Sequence, residues 1–319
     1  MAEQTERQNE ICPERYLMQM LWWILRWFFL VCICFIILYP LLYMVSMAFR
    51  SPEDFADVTV IWIPKHLTLD NLRTAIDAAG LRTAMMHTAL IALGSTVLQV
   101  LMTSLTGYGF ARFRFRGRGL LFAFVILTIV IPPQMMNIPN HLLMKELDVF
   151  GIVRLLTGAP SPVDLLDTYG SFYLPAVLGQ GLRAGLFILV YRQAYAGMPV
   201  ELEEAAWIDG CGYAKTYLRI MFPNARTTSV VTFLFSLVWY WTDYYMPFTL
   251  LSEKRTLSVL LLDLSSVLSA VLPAEQRNAY YLMPMHQAAC LFSVAPLLIL
   301  FLLAQKQFVR AIDRSGIVG

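Results

Sequence analysis

The sequence predicts an all-α polytopic membrane protein, and three observations carry that prediction. The 319 residues are 58% apolar and only 14% charged, against about 45–50% apolar and 25% charged in soluble domains. Mean hydropathy is +0.60. Long windows of about 20 apolar residues, enough to cross a bilayer as helices, recur along the chain. None of them alternates with the period of a barrel strand.

The first window, 27–49, holds no charge, nor do 83–111 and 120–144. The fourth, 172–196, carries Arg183 and Arg192. The fifth, 227–252, carries only Asp243, and the sixth runs over 278–305. Six helices is the simplest count. Residues 1–20 read as a segment ahead of the first span. The N-terminus lacks the basic region and cleavage site of a signal peptide, so the first window reads as a permanent anchor.

Several classes are excluded. The apolar excess rules out disorder. Five scattered cysteines do not make a disulfide scaffold. A net charge of +2 without a basic stripe argues against nucleic acid as a partner. No phosphate loop, His-Glu-x-x-His string or metal-spaced cluster is present, so neither catalytic residues nor a metal site are expected. His66, His87, His141 and His286 read as packing or helix-end residues.

Orientation follows from lysine and arginine near the helix ends. Both termini placed inside give the inner segments the larger share of the 24 basic residues. The turn Arg112-Phe-Arg-Phe-Arg-Gly-Arg118 is the densest. It suits an anionic headgroup layer and reads first as a topology anchor.

The long inner loop, 197–225, holds Gly197-Met-Pro-Val-Glu-Leu-Glu-Glu-Ala-Ala-Trp-Ile-Asp-Gly210. Gly197 suits a helix end and Pro199 the first turn of the next helix. Glu201, Glu203 and Glu204 complement its dipole. Gly210 suits a left-handed end. A second stretch, 213–222, is expected to stop at Pro223. The first helix reads either as an interfacial helix or as a docking element for another protein. Its three glutamates favour docking, because anionic headgroups repel them.

These residues resemble a known family. Glu204-Ala205-Ala206, Gly210, Ile220 and Pro223 resemble the EAA loop of binding-protein-dependent ABC importer permeases. The longer string from Pro199 to Gly210 is similar to the carbohydrate branch, of the maltose-type smaller permease. Gly107-Tyr-Gly-Phe-Ala-Arg112, Ile131-Pro-Pro133 with Pro139, Arg192-Gln193 and Trp241-Thr-Asp-Tyr-Tyr-Met-Pro247 extend the likeness over about 60–310. Phe222 stands where the family favours Leu, and Thr242 where Asn is usual. The tail 311–319 keeps part of a glycine-rich ending. Residues 151–167 and 263–280 look like insertions in outer loops.

The resemblance implies a type I importer permease in a bacterial cell membrane, with one transmembrane domain over 21–310. Its expected partners are a second homologous permease, a cytoplasmic ATPase dimer, an external solute-binding protein, the lipid bilayer and a sugar. It implies no enzyme activity and no cofactor bound by this chain, the ATP being used by partner subunits. Glu203, Glu204, Ala205, Ala206, Asp209, Gly210, Ile220 and Pro223 become candidates for ATPase coupling. Charges inside spans are functional candidates by default, so Gln180, Arg183, Trp241, Asp243 and Tyr244 become candidates for the substrate pathway. The commoner reading of 239–245 is an interfacial aromatic belt, and of Arg183 a snorkelling side chain. Another polar solute, such as glycerol phosphate, stays open, as does an ion-coupled secondary transporter.

Overall fold

The computed structural model describes residues 13–148, 155, 158 and 162–315, with side chains over 18–148 and 162–305 among them. The expected N-terminal segment 1–20, the insertion 151–167 and the tail 311–319 therefore lie wholly or partly outside the described residues. The described chain is helical, and its only β-type pairings are isolated bridges, Arg50 with Leu67 and Leu147 with Val163.

Helix α1, Pro13–Ala48, is 36 residues long, or about 54 Å at helical rise. Most of its described side chains are exposed, including Trp22, Trp23, Trp27 and Phe28. Such a face is tolerated in a lipid environment. α1 packs beside the long final helix, α10, Ala279–Ser315.

Helix α2, Leu81–Arg112, is the hub. Its buried face is rich in small and hydroxyl residues, Ala84, Thr88, Ala92, Ser95, Thr96, Thr103 and Gly107, with the amide of Gln99 among them. Small residues let helix backbones approach where lipid supplies no hydrophobic drive. Against this face pack α6, Ala184–Ala196, and α8, Arg226–Thr242. One buried cluster gathers around Leu81, Ile91, Leu257, Leu264 and Leu268 near one end of α2. A second gathers around Tyr108, Tyr191, Tyr195 and Tyr217 near the other.

Among the described residues three helices are long and apolar enough to cross a membrane, those over 18–48, 81–112 and 279–305. The other three expected spans are interrupted. The third is α3, Arg118–Val130, followed by a turn at Pro133–Met136 and α4, Asn137–Lys145. Its two arms bend by 103°. Pro132 and Pro133 donate no N–H, and each pushes the residue before it out of the helical region. Ile131 accordingly sits at φ −70°, ψ 122°.

The fourth splits into α5, Gly170–Val177, and α6. Between them Gly179 and Arg183 take positive φ, +72° and +56°. The fifth splits after α8, where Asp243 is extended, and resumes as α9, Tyr245–Leu250. The Asp243 carboxylate accepts the Tyr245 N–H at 3.2 Å, a local bond that competes with helix continuation. Six uniform spans is thus more regular than the described residues show: three continuous helices, one bent pair that passes the same length and apolarity test, and two shorter interrupted segments.

Candidate functional site

The loop between α6 and α8 forms the first site. Helix α7, Glu201–Ile208, carries Glu201, Glu203 and Glu204 in its first turn. It starts two residues after Pro199 rather than on it. Its end is a Schellman arrangement. The Cys211 N–H reaches the Ala206 carbonyl at 2.8 Å, the Gly210 N–H reaches Trp207 at 3.0 Å, and Gly210 sits at φ +78°.

The helix has two faces. Glu203 and Ala206, three apart, are buried. Glu204, Ala205, Ile208, Asp209 and Gly210 are exposed, Ile208 at 86%. The expected coupling residues on this helix and its end therefore divide, with Glu203 and Ala206 turned into the protein and Glu204, Ala205, Asp209 and Gly210 outward.

Glu203 meets the end of α2. Arg112 Nε lies 3.0 Å from Glu203 Oε2, and the Tyr108 hydroxyl donates to Glu203 Oε1. The Arg112 Nε–H is not aligned for a hydrogen bond, so that contact is an ion pair. Arg112 Nη2 also donates to the Met198 carbonyl at 2.7 Å and the Pro199 carbonyl at 3.5 Å. Breaking one side of a buried pair leaves an uncompensated charge and costs about 3–5 kcal/mol.

After Gly210 the chain does not stop at Pro223. It runs through Tyr213–Thr216, a π-helical turn Tyr217–Met221 and a further turn Phe222–Asn224. Pro223 occupies the first turn of that last piece, where the missing N–H costs nothing. Ile220 is half-buried against the tyrosine cluster, and Pro223 is exposed. Tyr217 donates to Ser104 Oγ at 3.0 Å, and Ser104 bonds Tyr195 at 2.6 Å. This half of the loop is thus stitched into α2 and α6.

The second site lies where the three broken segments meet. A pocket of about 180 Å³ is lined by Gln134 and Asn137 from the first break, Arg183 from the second, and Trp239, Asp243 and Tyr245 from the third, with Pro133, Leu182, Thr242 and Met246. The Arg183 guanidinium sits over the Trp239 ring, 4.6 Å from its centroid. A staple holds the second break: Gln99 Nε2 donates to the Leu182 carbonyl at 2.8 Å, and the Leu182 N–H donates to the Tyr240 hydroxyl at 3.0 Å. That hydroxyl in turn donates to Gln99 Oε1 at 2.7 Å.

Of the expected pathway residues, Arg183 and Asp243 line this pocket. Gln180, Trp241 and Tyr244 do not. Gln180 is exposed on the broken turn. Trp241 is buried and donates from Nε1 to the Ser293 carbonyl of α10 at 3.1 Å. Tyr244 stacks on Phe248, with centroids 5.2 Å apart. Gln134 and Asn137 gave no separate signal in the sequence, and Trp239 entered only as the first ring of the aromatic string 239–245.

The four histidines each have their own partner: Asp54 for His66, Tyr169 for His87, and the carbonyls of Thr249 and Leu261 for His141 and His286. Among the described residues no group of three or more His, Cys, Asp or Glu is placed to hold a metal.

Residues 99–314 match the family described as the binding-protein-dependent transport system inner membrane component. The chain belongs to that family. The matched stretch contains Arg112, α7 and the whole pocket lining of this inner membrane component. Two curated relatives align over nearly their whole length. The chain is 27% identical over 290 residues to the arabinooligosaccharides transport system permease protein of Halalkalibacterium halodurans, covering 90% of this chain and 93% of that one. It is 28% identical over 300 residues to the maltodextrin transport system permease protein of Bacillus subtilis, covering 93% and 96%. A chain from the crystal structure of a bacterial ABC transporter involved in the import of the acidic polysaccharide alginate superposes with a TM-score of 0.72. It shares 19% identity, over 91% of this chain and 97% of that one, and supports the fold. The protein is a multi-pass transport component of a binding-protein-dependent system, and neither the family nor these relatives are described as enzymes.

Proposed function

We propose that this chain is the smaller permease subunit of an ATP-driven importer for a sugar or oligosaccharide. It pairs with a second homologous permease, receives its solute from an external binding protein, and couples to a cytoplasmic ATPase dimer through α7. Both termini face the cytoplasm in this reading.

The observation that carries the coupling is the two-faced character of α7. Its outward face offers the acids Glu204 and Asp209, the small Ala205 and Gly210, and one apolar side chain, Ile208. Its inward face is tied to a membrane-spanning helix through Glu203. An exposed docking face with a rigid attachment behind it suits the transfer of a push. A purely interfacial helix would have its apolar face in the headgroups and little use for the buried pair.

The sugar assignment is supported by the names of the relatives and by the chemistry of the pocket. Trp239 offers an aromatic face, and Gln134, Asn137, Thr242 and Asp243 offer groups for hydroxyls. Sites for polar ligands place a few convergent polar groups among apolar walls in this manner.

Uptake of labelled solutes by the reconstituted importer tests the reading. Arabino- or malto-oligosaccharide uptake that requires ATP and the binding protein supports it. Uptake of glycerol phosphate but no sugar would move the substrate class, and ion-gradient uptake without ATP would remove the importer reading altogether.

A further inference from the structure

We infer that Arg112, Tyr108 and Glu203 form a latch that makes α7 and the end of α2 move as one body, so that force on the exposed face of α7 enters the bundle through α2. The inference rests on the docking reading of α7 above, and it assigns these three as positioning residues rather than as contacts to the ATPase.

Three features carry it. First, burying a glutamate costs free energy that a solvent-facing one avoids. Glu201 and Glu204 already complement the helix dipole from outside, so that role does not explain a third acid only 2% exposed. Second, both oxygens of Glu203 are used, Oε2 by the guanidinium and Oε1 by the tyrosine hydroxyl. Tyr108 and Arg112 stand four apart, so both reach from one face of α2. Arg112 also grips the carbonyls of Met198 and Pro199, the strand of chain that leads into α7.

Third, the attachment is concentrated. Among the described residues, every side-chain hydrogen bond or ion pair from α7 to a membrane-spanning helix ends on Tyr108 or Arg112. An eight-residue helix is marginal by itself. Without the latch, a push on α7 would be absorbed by rotation or fraying of that short helix. With it, the displacement reaches a 32-residue helix on which α6 and α8 both pack.

The test uses the assembled importer in lipid nanodiscs and proteoliposomes, with partner permease, ATPase dimer and binding protein. It reads ATPase retained on purification, ATP hydrolysed, and solute moved per ATP. Glu203→Gln and Arg112→Gln should keep the ATPase bound at full stoichiometry. Solute moved per ATP should fall roughly five-fold or more, the lower end for coupling between sites. Arg112→Lys keeps the charge and should recover part of that loss. Tyr108→Phe keeps the ring and loses one bond, so it should show a smaller fall, and it carries the test where the charge variants fail to insert.

A wild-type ratio of solute to ATP in these variants overturns the latch. So does loss of the ATPase in step with transport, which would make Glu203 a docking residue or a fold residue. Glu204→Ala separates the two layers. If it leaves ATPase binding and transport untouched, the docking reading of α7 has failed, not the latch alone.

Discussion

Gly107 lies so close to Tyr191 that a Cβ at position 107 would stand 2.5 Å from the Tyr191 Cβ. The same Cβ would meet the Arg192 N at 3.0 Å and the Ile188 carbonyl oxygen at 3.1 Å. Two of these atoms are backbone, so α6 cannot yield by turning a side chain. Gly107→Ala should therefore push α2 and α6 apart and destabilise the protein by about 1–3 kcal/mol, the usual cost of overpacking. Thermal unfolding in detergent reads this directly. Gly109 has nothing within 4 Å of its Cβ position, so Gly109→Ala should leave the midpoint unchanged or raise it slightly. Equal effects at both positions would refute the crossing geometry.

Gly210 presents the opposite case. A side chain there would meet no atom of this chain within 4 Å, yet its φ is +78°. The requirement is backbone conformation rather than space within the subunit. Gly210→Val should cost about 1–2 kcal/mol from the left-handed conformation alone. Gly210→Asn should cost less, because Asn tolerates that region. If an ATPase also approaches here, Gly210→Trp should abolish uptake while the protein still inserts. Membrane insertion by protease protection and uptake by filtration separate strain from docking. Wild-type uptake from Gly210→Trp would remove this glycine from the interface.

The windows that make the bundle were legible because lipid demands long apolar runs, and the chain writes them plainly at 27–49, 83–111 and 278–305. The bend at 131–133 was legible only through the family likeness of its proline pair: the apolar run 120–144 read as one unbroken span, although two prolines cannot continue a helix. The break between α5 and α6 was not legible. It depends on Gly181, whose Cβ position would be 2.3 Å from Gln99 Oε1 and 2.5 Å from the Tyr240 hydroxyl, and those partners are remote in sequence. Nor could neighbouring Glu203 and Glu204 be told apart. Both suit a first turn, and only Arg112 at the far end of α2 decides which one turns inward. The pocket has the same character. Its residues come from three breaks, so only Arg183 and Asp243, which break an apolar pattern, stood out.

Asp167 supplies a pH-dependent clasp on the loops. Its Oδ1 accepts the N–H groups of Ser252, Glu253 and Lys254 at 3.2, 3.1 and 3.2 Å. The Lys254 Nζ lies 3.7 Å from Oδ2. Burial pushes the carboxyl up, but these N–H groups and the lysine together hold it below the ordinary aspartate value. A depressed carboxylate contributes stability that is present above the unfolded value, ~4, and is lost as pH falls through the folded value. The protection of the 252–254 amides, their exchange rate referred to the intrinsic rate at the same pH, should therefore be high near neutrality and fall below about pH 4. Asp167→Ala should remove that protection at every pH. Asp167→Asn retains an acceptor and tolerates the positive φ of +54°, so it should restore part of the protection and flatten its pH dependence.

Arg183 combines a strained backbone with a pocket position. Its φ of +56° is rare for a residue with a long side chain, and such conformations persist where surrounding structure over-determines them. Here the determinants are the Gln99–Leu182–Tyr240 staple on one side and the Trp239 ring on the other. Arg183→Gly relieves the backbone and removes the guanidinium, so it should raise stability slightly while weakening uptake. Trp239→Ala removes both the stacking partner and the aromatic face, and it should raise the solute concentration for half-maximal uptake more than it lowers the maximal rate. That pattern marks loss of uniform binding. A variant at Trp239 that lowers only the maximal rate would place the residue in the conformational cycle instead of on the solute path. A variant at Arg183 that loses stability would show that the guanidinium–indole contact more than repays the backbone strain.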